Sequence, residues 1–384
     1  MTKRLWDALT SLKLAILCLS LLMVLVVACT LAQVDMGTSG AVDRYMRAFV
    51  VWWDLPEAGF KVPILPGGAT VGMVLAVNLF AAQIRRLQFS WRKAGLWIAH
   101  AGLILLVAGE FVTAVAQIDG QMAIEEGQTT NYVERPKEDE LVLVDTTDPK
   151  YDDVYGVPAS LLASAVPIAV PGTPISLRMH GYAKNAAIRR RTASDLKSPA
   201  TAGIGPTLTV QTQPEVTADD QRNESAVFAE PFAGSTSYGV WLLSAALGAP
   251  QDFVHAGRTY SLLMRPRREY LPYSVTLKKF RHDVYAGTDI PKNFSSLVHL
   301  ESPGSGESRD VLIYMNQPLR FAGKTFYQAS FGKNDTLTVL QVVQNPGWLL
   351  PYIACALVTL GLLIHFAIEL WRRQRKLLVA AEAA

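Results

Sequence analysis

Hydrophobic and polar positions divide the chain into four long apolar runs and one polar stretch of about 230 residues. A helix needs about 20 mainly apolar residues to cross a hydrocarbon core. Leu14–Val34, Val62–Gln83, Gly95–Ala116 and Trp348–Leu370 meet that length. The second run opens with VPILPGG (Val62–Gly68), which carries two prolines and two glycines. Its regular helix is therefore predicted to begin after Pro66, where proline suits a first turn. The segment between, 41–60, reads as an amphipathic helix in the membrane interface.

From Gln117 to Gly347 the period changes to two. Ile175, Leu177 and Met179 alternate with Ser176, Arg178 and His180, the pattern of a half-buried strand. Similar runs lie at Leu141–Val144, Thr207–Gln211, Ser261–Met264, Ser274–Leu277, Val311–Met315 and Thr336–Val343, and PGSGES (Pro303–Ser308) reads as a hairpin loop. The predicted architecture is a membrane α-helical bundle of four transmembrane helices plus an extracytoplasmic, β-rich, sandwich-like domain. Residues 1–116 supply three helices, 117–347 the domain, and 348–384 the fourth helix with a basic tail.

Composition agrees with a partly lipid-embedded chain: half the residues are hydrophobic, 18% are charged, and the mean hydropathy is +0.20. The net charge of +3 matters through its placement. Lys3, Arg4 and Lys13 precede the first run, Arg85, Arg86, Arg92 and Lys93 fill the link between the second and third, and Arg372, Arg373, Arg375 and Lys376 follow the fourth. Such blocks are retained in the cytoplasm, so both termini are predicted there, in an inner (plasma) membrane protein whose domain is periplasmic. Seven of the eight tryptophans flank the apolar runs, as rings at headgroup level do. Val26-Val27-Ala28-Cys29 resembles a lipoprotein cleavage box, but the run around it reaches full spanning length and reads as an uncleaved anchor.

Cys18, Cys29 and Cys355 all fall inside apolar runs, so the polar domain is expected to fold without disulfides or a zinc site. That domain holds 22 Lys and Arg against 25 Asp and Glu, which gives no field for nucleic acid. Its basic cluster, Arg189-Arg190-Arg191, reads as a solvated face. No phosphate loop, GxSxG, HExxH or DxDxDG sequence is present. His180, His255, His282 and His299 lack ligand spacing.

The chemistry that remains lies in the membrane. His100 and His365 are ionisable groups inside apolar helices, where they are costly and face a protein interior or a ligand. Each lies seven residues from a basic block, or about 10 Å at 1.5 Å per residue, so equal depth is expected. Such imidazoles could ligate haem iron, with each other or with a partner's histidines, or serve as hydrogen-bonding glue between helices. Glu110 is expected to snorkel to the outer interface.

Three helices, a large outer domain and a closing helix resemble the ResB-type proteins of system II cytochrome c maturation. The specific match is DVLIYMNQPLRFAGKTFYQASF (Asp310–Phe331), preceded by GTDIPKNFSSLVHL (Gly287–Leu300). The first helix, with SLKLAILCLSLL (Ser11–Leu22) and Gln33, and the third, with His100, are similar at corresponding places. The stretch from Asn185 to Arg258 carries no resemblance. The family implies haem b, transported or transiently bound, with His100 and His365 as iron ligands. It also implies a ResC/CcsA-type membrane partner, apocytochrome c as client, and a thiol-reducing thioredoxin-like protein. The chain would then be a subunit of a cytochrome c haem lyase, with the attachment chemistry mainly on the partner. The partner subunit carries the family's tryptophan-rich haem motif, so the lone Trp52-Trp53-Asp54 here reads as interface belt. The alternatives are a membrane-anchored haem redox subunit and a non-catalytic scaffold whose outer domain docks partners.

The charge pattern makes a topological prediction: alkaline phosphatase fused near Gly205 is active, and a fusion in the link between the second and third helices is inactive. The reverse activities would overturn the orientation.

Overall fold

A computed structural model describes residues 2–55, 60–85, 90–164, 166–216, 222–287 and 291–382. Arg86 of the second basic block and residues 288–290 of the GTDIPKNF stretch lie outside them. The chain forms two compact units, one holding the helices up to Ile118 and from Gln344 onward, the other holding the strands between.

In the helical unit, α1 (Thr2–Leu9) is followed by α2 (Leu12–Ala41), with Ser11 between them as an N-cap that accepts from the Lys13 amide. Helix α3 spans Gly68–Arg85, α4 spans Ala94–Ala116 and α5 spans Leu350–Glu382. Among the described residues, four helical segments are long and apolar enough to cross a membrane: Leu12–Arg47, Gly68–Arg85, Trp91–Ala116 and Leu350–Ala381. Their exposed side chains are apolar, for example Met23, Val27, Phe80, Phe111, Leu360 and Phe366, which suits lipid and not water. Helix α2 breaks at Gly37, whose φ of 70° an L side chain adopts only with strain. Helix α3 begins just past Pro66, as its proline-rich start requires. Asn78, buried in α3, donates to the carbonyls of Leu9 and Ser11 at 2.5 and 3.1 Å, and Arg85 pairs with Asp7 at 2.7 Å. The break between α1 and α2 is thus fastened to α3.

The segment 41–60 is not one amphipathic helix. A helical turn over Val42–Arg47 gives way to β1 (Val50–Leu55), which pairs antiparallel with β2 (Phe60–Pro66). Val50, Val51, Trp52 and Trp53 are β-branched or aromatic, and their preference for a pleated strand outweighs the helical spacing of the window.

Helices α4 and α5 cross at very small side chains. A Cβ placed on Gly95 would collide with the backbone of Gly361 and His365, one on Gly102 with Ala354 and Val358, and one on Gly361 with Ala99. Lipid supplies no hydrophobic drive between helices, so close backbone approach of this kind supplies the packing. The register runs antiparallel, with Gly109 against Leu350 at one end and Gly95 against His365 at the other.

The second unit is built on β3 (Ile118–Glu125), β4 (Thr129–Asp145), β5 (Arg258–Val284), β6 (Pro291–Ser302), β7 (Glu307–Tyr314), β8 (Leu319–Phe321), β9 (Lys324–Gly332) and β10 (Leu337–Gln344). Their order in one sheet is β7-β6-β5-β4-β3-β10-β9-β8, and β7 comes back against β8 and β9, so the sheet curls on itself. Met122, Val133, Val275, Leu277, Val298, Ile313, Phe326 and Leu340 fill its inside. The outer halves of β4 and β5 take on Asp153–Pro158 and Gln251–His255, and this part faces a smaller sheet containing Ser176–Ala183, Ala226–Ala233 and Trp241–Ser244. Leu141, Leu143 and Leu262 from one side meet Leu177, Val227 and Trp241 from the other, which makes this half a sandwich.

The two halves share β4 and β5, and both strands are interrupted at the same place. The pairing slips between Pro266 and Arg267, opposite the stretch around Pro136, because proline has no N–H to give a ladder. Charge fills the gap. Lys324, almost fully buried, meets Glu269 at 2.7 Å, Arg135 joins the same carboxylate at 3.5 Å, and Arg265 pairs with Glu140 at 3.0 Å. Arg268 pairs with Glu134 and lies 4.0 Å above the Tyr132 ring centroid. Burial pushes the Glu269 carboxyl up, but Lys324 and Arg135 together outweigh it and hold the group below its ordinary 4.5.

A depressed carboxylate contributes stability that is complete above its unfolded pKa and is lost as pH falls through its folded one. The β unit is therefore predicted to keep its stability from pH 7 to about 5 and to lose it below about 4.5, with Glu269→Gln flattening that loss in denaturant titrations of the full chain. Lys324→Met should cost about 1 kcal/mol or less at pH 7, because Glu269 keeps Arg135 and is open to solvent on one side. In the helical unit, Gly361→Leu should destabilise the α4–α5 pair by about 1–3 kcal/mol, measured by unfolding in mixed micelles, since no side chain there can give way to it.

Candidate functional site in the membrane helices

Helix α4 carries His100 one residue beyond Ala99, on a different face from the α5 seam. The seam residues Gly95, Ala99, Gly102 and Gly109 share one side of α4, and His100 is turned about 140° from Gly95 at 100° per residue. It stands among the exposed apolar side chains of Leu96, Leu103, Val107 and Phe111. Its Nδ1 lies 2.7 Å from the Leu96 carbonyl oxygen, one turn earlier. A carbonyl only accepts, so Nδ1 carries the proton and donates, and Nε2 keeps its lone pair. Nε2 has no hydrogen-bond partner among the described residues. This is the arrangement metal-ligating histidines adopt: one ring N–H given to a backbone carbonyl fixes the tautomer and aims the other nitrogen outward.

His365 is placed differently. Its backbone packs on Gly95 within the α4–α5 seam, and its Nδ1 is buried with no hydrogen-bond partner among the described residues. Gly95 precedes His100 by five residues, so the backbones of the two histidines differ in height by about 7–8 Å along α4. The expectation of equal depth fails because counting from basic blocks ignores the register, which the small residues of the seam determine. The two backbones are therefore not level, and His100 faces away from the seam on which His365 packs. Glu110 is exposed on α4.

The other histidines each have a polar partner. His180 Nε2 is 2.8 Å from Glu230, which also binds Arg178 and Ser237. His255 meets the Tyr238 hydroxyl, and His282 approaches Asp335 at 3.3 Å while stacking on Phe294 and Phe331. His299 Nδ1 lies 2.7 Å from Asp310, and its Nε2 lies 3.2 Å from the Ser308 hydroxyl. That order of contacts is the one a nucleophilic serine uses, but Asp310 is half exposed and shared with Lys278 at 2.7 Å, so the group is a surface ion-pair network. Lys278 and His299 together lower the Asp310 carboxyl. Among the described residues, no three His, Cys, Asp or Glu side chains converge to hold a metal ion. In the Arg189–Arg191 cluster, Arg189 is paired with Asp195 at 2.5 Å.

Sequence reading found both membrane histidines but missed Asn78 and Arg85 as fasteners of α1. Asn78 was detectable as an amide in the middle of an apolar run, whereas Gln33 and Gln83 lie at run ends, and such a placement is costly unless it is bonded. The Lys324–Glu269 pair gave no local signal, since its members are 55 residues apart.

Residues 250–339 match the ResB-like family. Protein NrfI of Wolinella succinogenes is 35% identical over 98 residues, which is 26% of this chain and 11% of the length of that protein. The family match takes in the Asp310–Phe331 block and most of β5 to β10, and it does not extend to α4 or His100. The curled sheet thus carries the match, and it is over residues 250–339 that the chain is similar to the ResB-like family.

Proposed function

We propose that the chain is the haem-holding membrane subunit of a system II cytochrome c maturation complex, and that His100 is its iron ligand. The single observation that carries the site is the Nδ1–H bond to the Leu96 carbonyl, which leaves Nε2 as an available nitrogen donor inside an apolar helix. An imidazole at such a place is expensive unless it is used. The family match and the relation to NrfI support the setting, and the basic blocks beside the helices support a cytoplasmic position for both termini.

Haem b, when bound, supplies the vinyl groups that react with the reduced thiols of apocytochrome c. The work of this chain is narrower: His100 holds a nitrogen at fixed height on α4, and the apolar side chains around it keep water from the same face. His365 is the weaker candidate, because its backbone packs in the seam with α4 and its Nδ1 is buried. A second axial ligand from His365 would have to reach from the α4–α5 seam to a face of α4 turned about 140° from Gly95. That geometry argues against a resident cytochrome ligated by His100 and His365 together, and in favour of a second ligand from a ResC/CcsA-type partner. The thiol-reducing thioredoxin-like protein would act on the client and not on this chain, whose cysteines lie in apolar helices.

The test is His100→Gly, produced with the membrane partner. Bound haem and cytochrome c assembly are expected to fall about tenfold or more, and added imidazole, which can enter the space left, is expected to restore both. His365→Gly is expected to retain the haem spectrum. Unchanged haem in His100→Gly with loss in His365→Gly would move the ligand to α5 and overturn the assignment.

A further inference from the structure

The β1–β2 hairpin presents more apolar surface than two strands can hide. Trp52 and Trp53 are about half exposed, and Phe49, Phe60 and Ile64 are also exposed. Neighbouring residues on a strand point to opposite faces, so the two rings spread aromatic surface over both sides of the hairpin. An isolated two-stranded hairpin is marginal in water, and contiguous apolar patches mark a surface that something covers.

The base of the hairpin fixes where it lies. A Cβ on Gly68 would collide with the backbone of Met46, and one on Gly67 with the Ala48 carbonyl, so the chain entering α3 is pressed against the turn that ends α2. The Phe49 carbonyl accepts from the Gly67 amide at 2.9 Å and from the Thr70 hydroxyl at 2.7 Å, and Arg44 donates to the Trp52 carbonyl at 3.0 Å. Val51 and Leu65, paired across the strands, pack into one cluster with Cys18, Leu25 and Val71. The flank of the hairpin is thus continuous with the core of two helices that are long and apolar enough to cross a membrane. Tryptophan suits this position, with an apolar ring and one N–H for water or headgroups, and the turn beside it carries the cations Arg44 and Arg47.

We propose that the β1–β2 hairpin lies in the lipid headgroup layer, with Trp52, Trp53 and Phe60 in contact with lipid, and that it anchors the shared end of α2 and α3 at the membrane surface. This surface is separate from His100 and does not depend on the haem reading.

The experiment uses the full chain with Cys18, Cys29 and Cys355 replaced by Ala, in bilayers of phosphatidylcholine with phosphatidylglycerol. A nitroxide is attached at Trp53→Cys, Phe60→Cys or, as a water-exposed control, Ser305→Cys, and its collisions with oxygen and with a water-soluble nickel chelate are compared by power saturation. Both hairpin positions are expected to favour oxygen over nickel relative to Ser305→Cys. Phe60→Cys, on the other strand, keeps the test standing if Trp53→Cys fails to accumulate. Hairpin labels as open to nickel as the control would overturn the proposal. So would labels that become protected from both reagents only when the membrane partner is produced with the chain, since the covering surface would then be protein.

Discussion

The close approach of α4 and α5 is the constraint on which the helical unit depends. Lipid is as apolar as leucine, so two helices gain nothing by hiding apolar side chains from it, and they associate through backbone proximity and matched shape. Gly95, Ala99 and Gly102 on α4 and Ala354 and Gly361 on α5 permit that proximity. Their register then determines everything attached to the two helices. It places His365 in the seam, leaves His100 on the opposite side of α4, and separates the two in height.

The β unit solves a different problem. It contains no cysteine and no metal cluster among its described residues, and its two cores are joined only through β4 and β5. Both strands carry proline where they pass from one core to the other, so the ladder is interrupted where continuity would stiffen it. The salt-bridge network of Arg135, Glu269, Lys324, Arg265 and Glu140 replaces the missing backbone bonds with paired charges. Lys324, Arg265 and Glu140 are the members most withdrawn from water, so the junction is most sensitive to loss of a partner of one of these three.

The sequence made legible what depends on local period. The four spanning helices follow from run length, the strands around Ile175, Leu141 and Val311 from alternation, and the start of α3 from Pro66. Features that depend on partners were not legible. The glycines at 95, 102 and 361 are visible as letters, but nothing local says which of them face each other, and the equal depth of the histidines was inferred without that register. The segment 41–60 was misread because a window that mixes apolar and charged residues satisfies helical spacing as well as strand spacing, and the pairing of β1 with β2 decided between them. His100 was legible as a costly imidazole. Its tautomer became visible only with the Leu96 carbonyl in place.

The account rests most heavily on Nε2 of His100 as a donor to iron. The most direct measurement is pulsed electron paramagnetic resonance of this chain produced with the proposed ResC/CcsA-type partner and supplied with ferric haem, with histidine labelled with nitrogen-15 in this chain alone. The account predicts the hyperfine coupling of one strongly coupled nitrogen-15 nucleus, abolished by His100→Gly and unaffected by His365→Gly. Spectra showing only unlabelled axial nitrogens, or a labelled coupling that persists in His100→Gly, would contradict it.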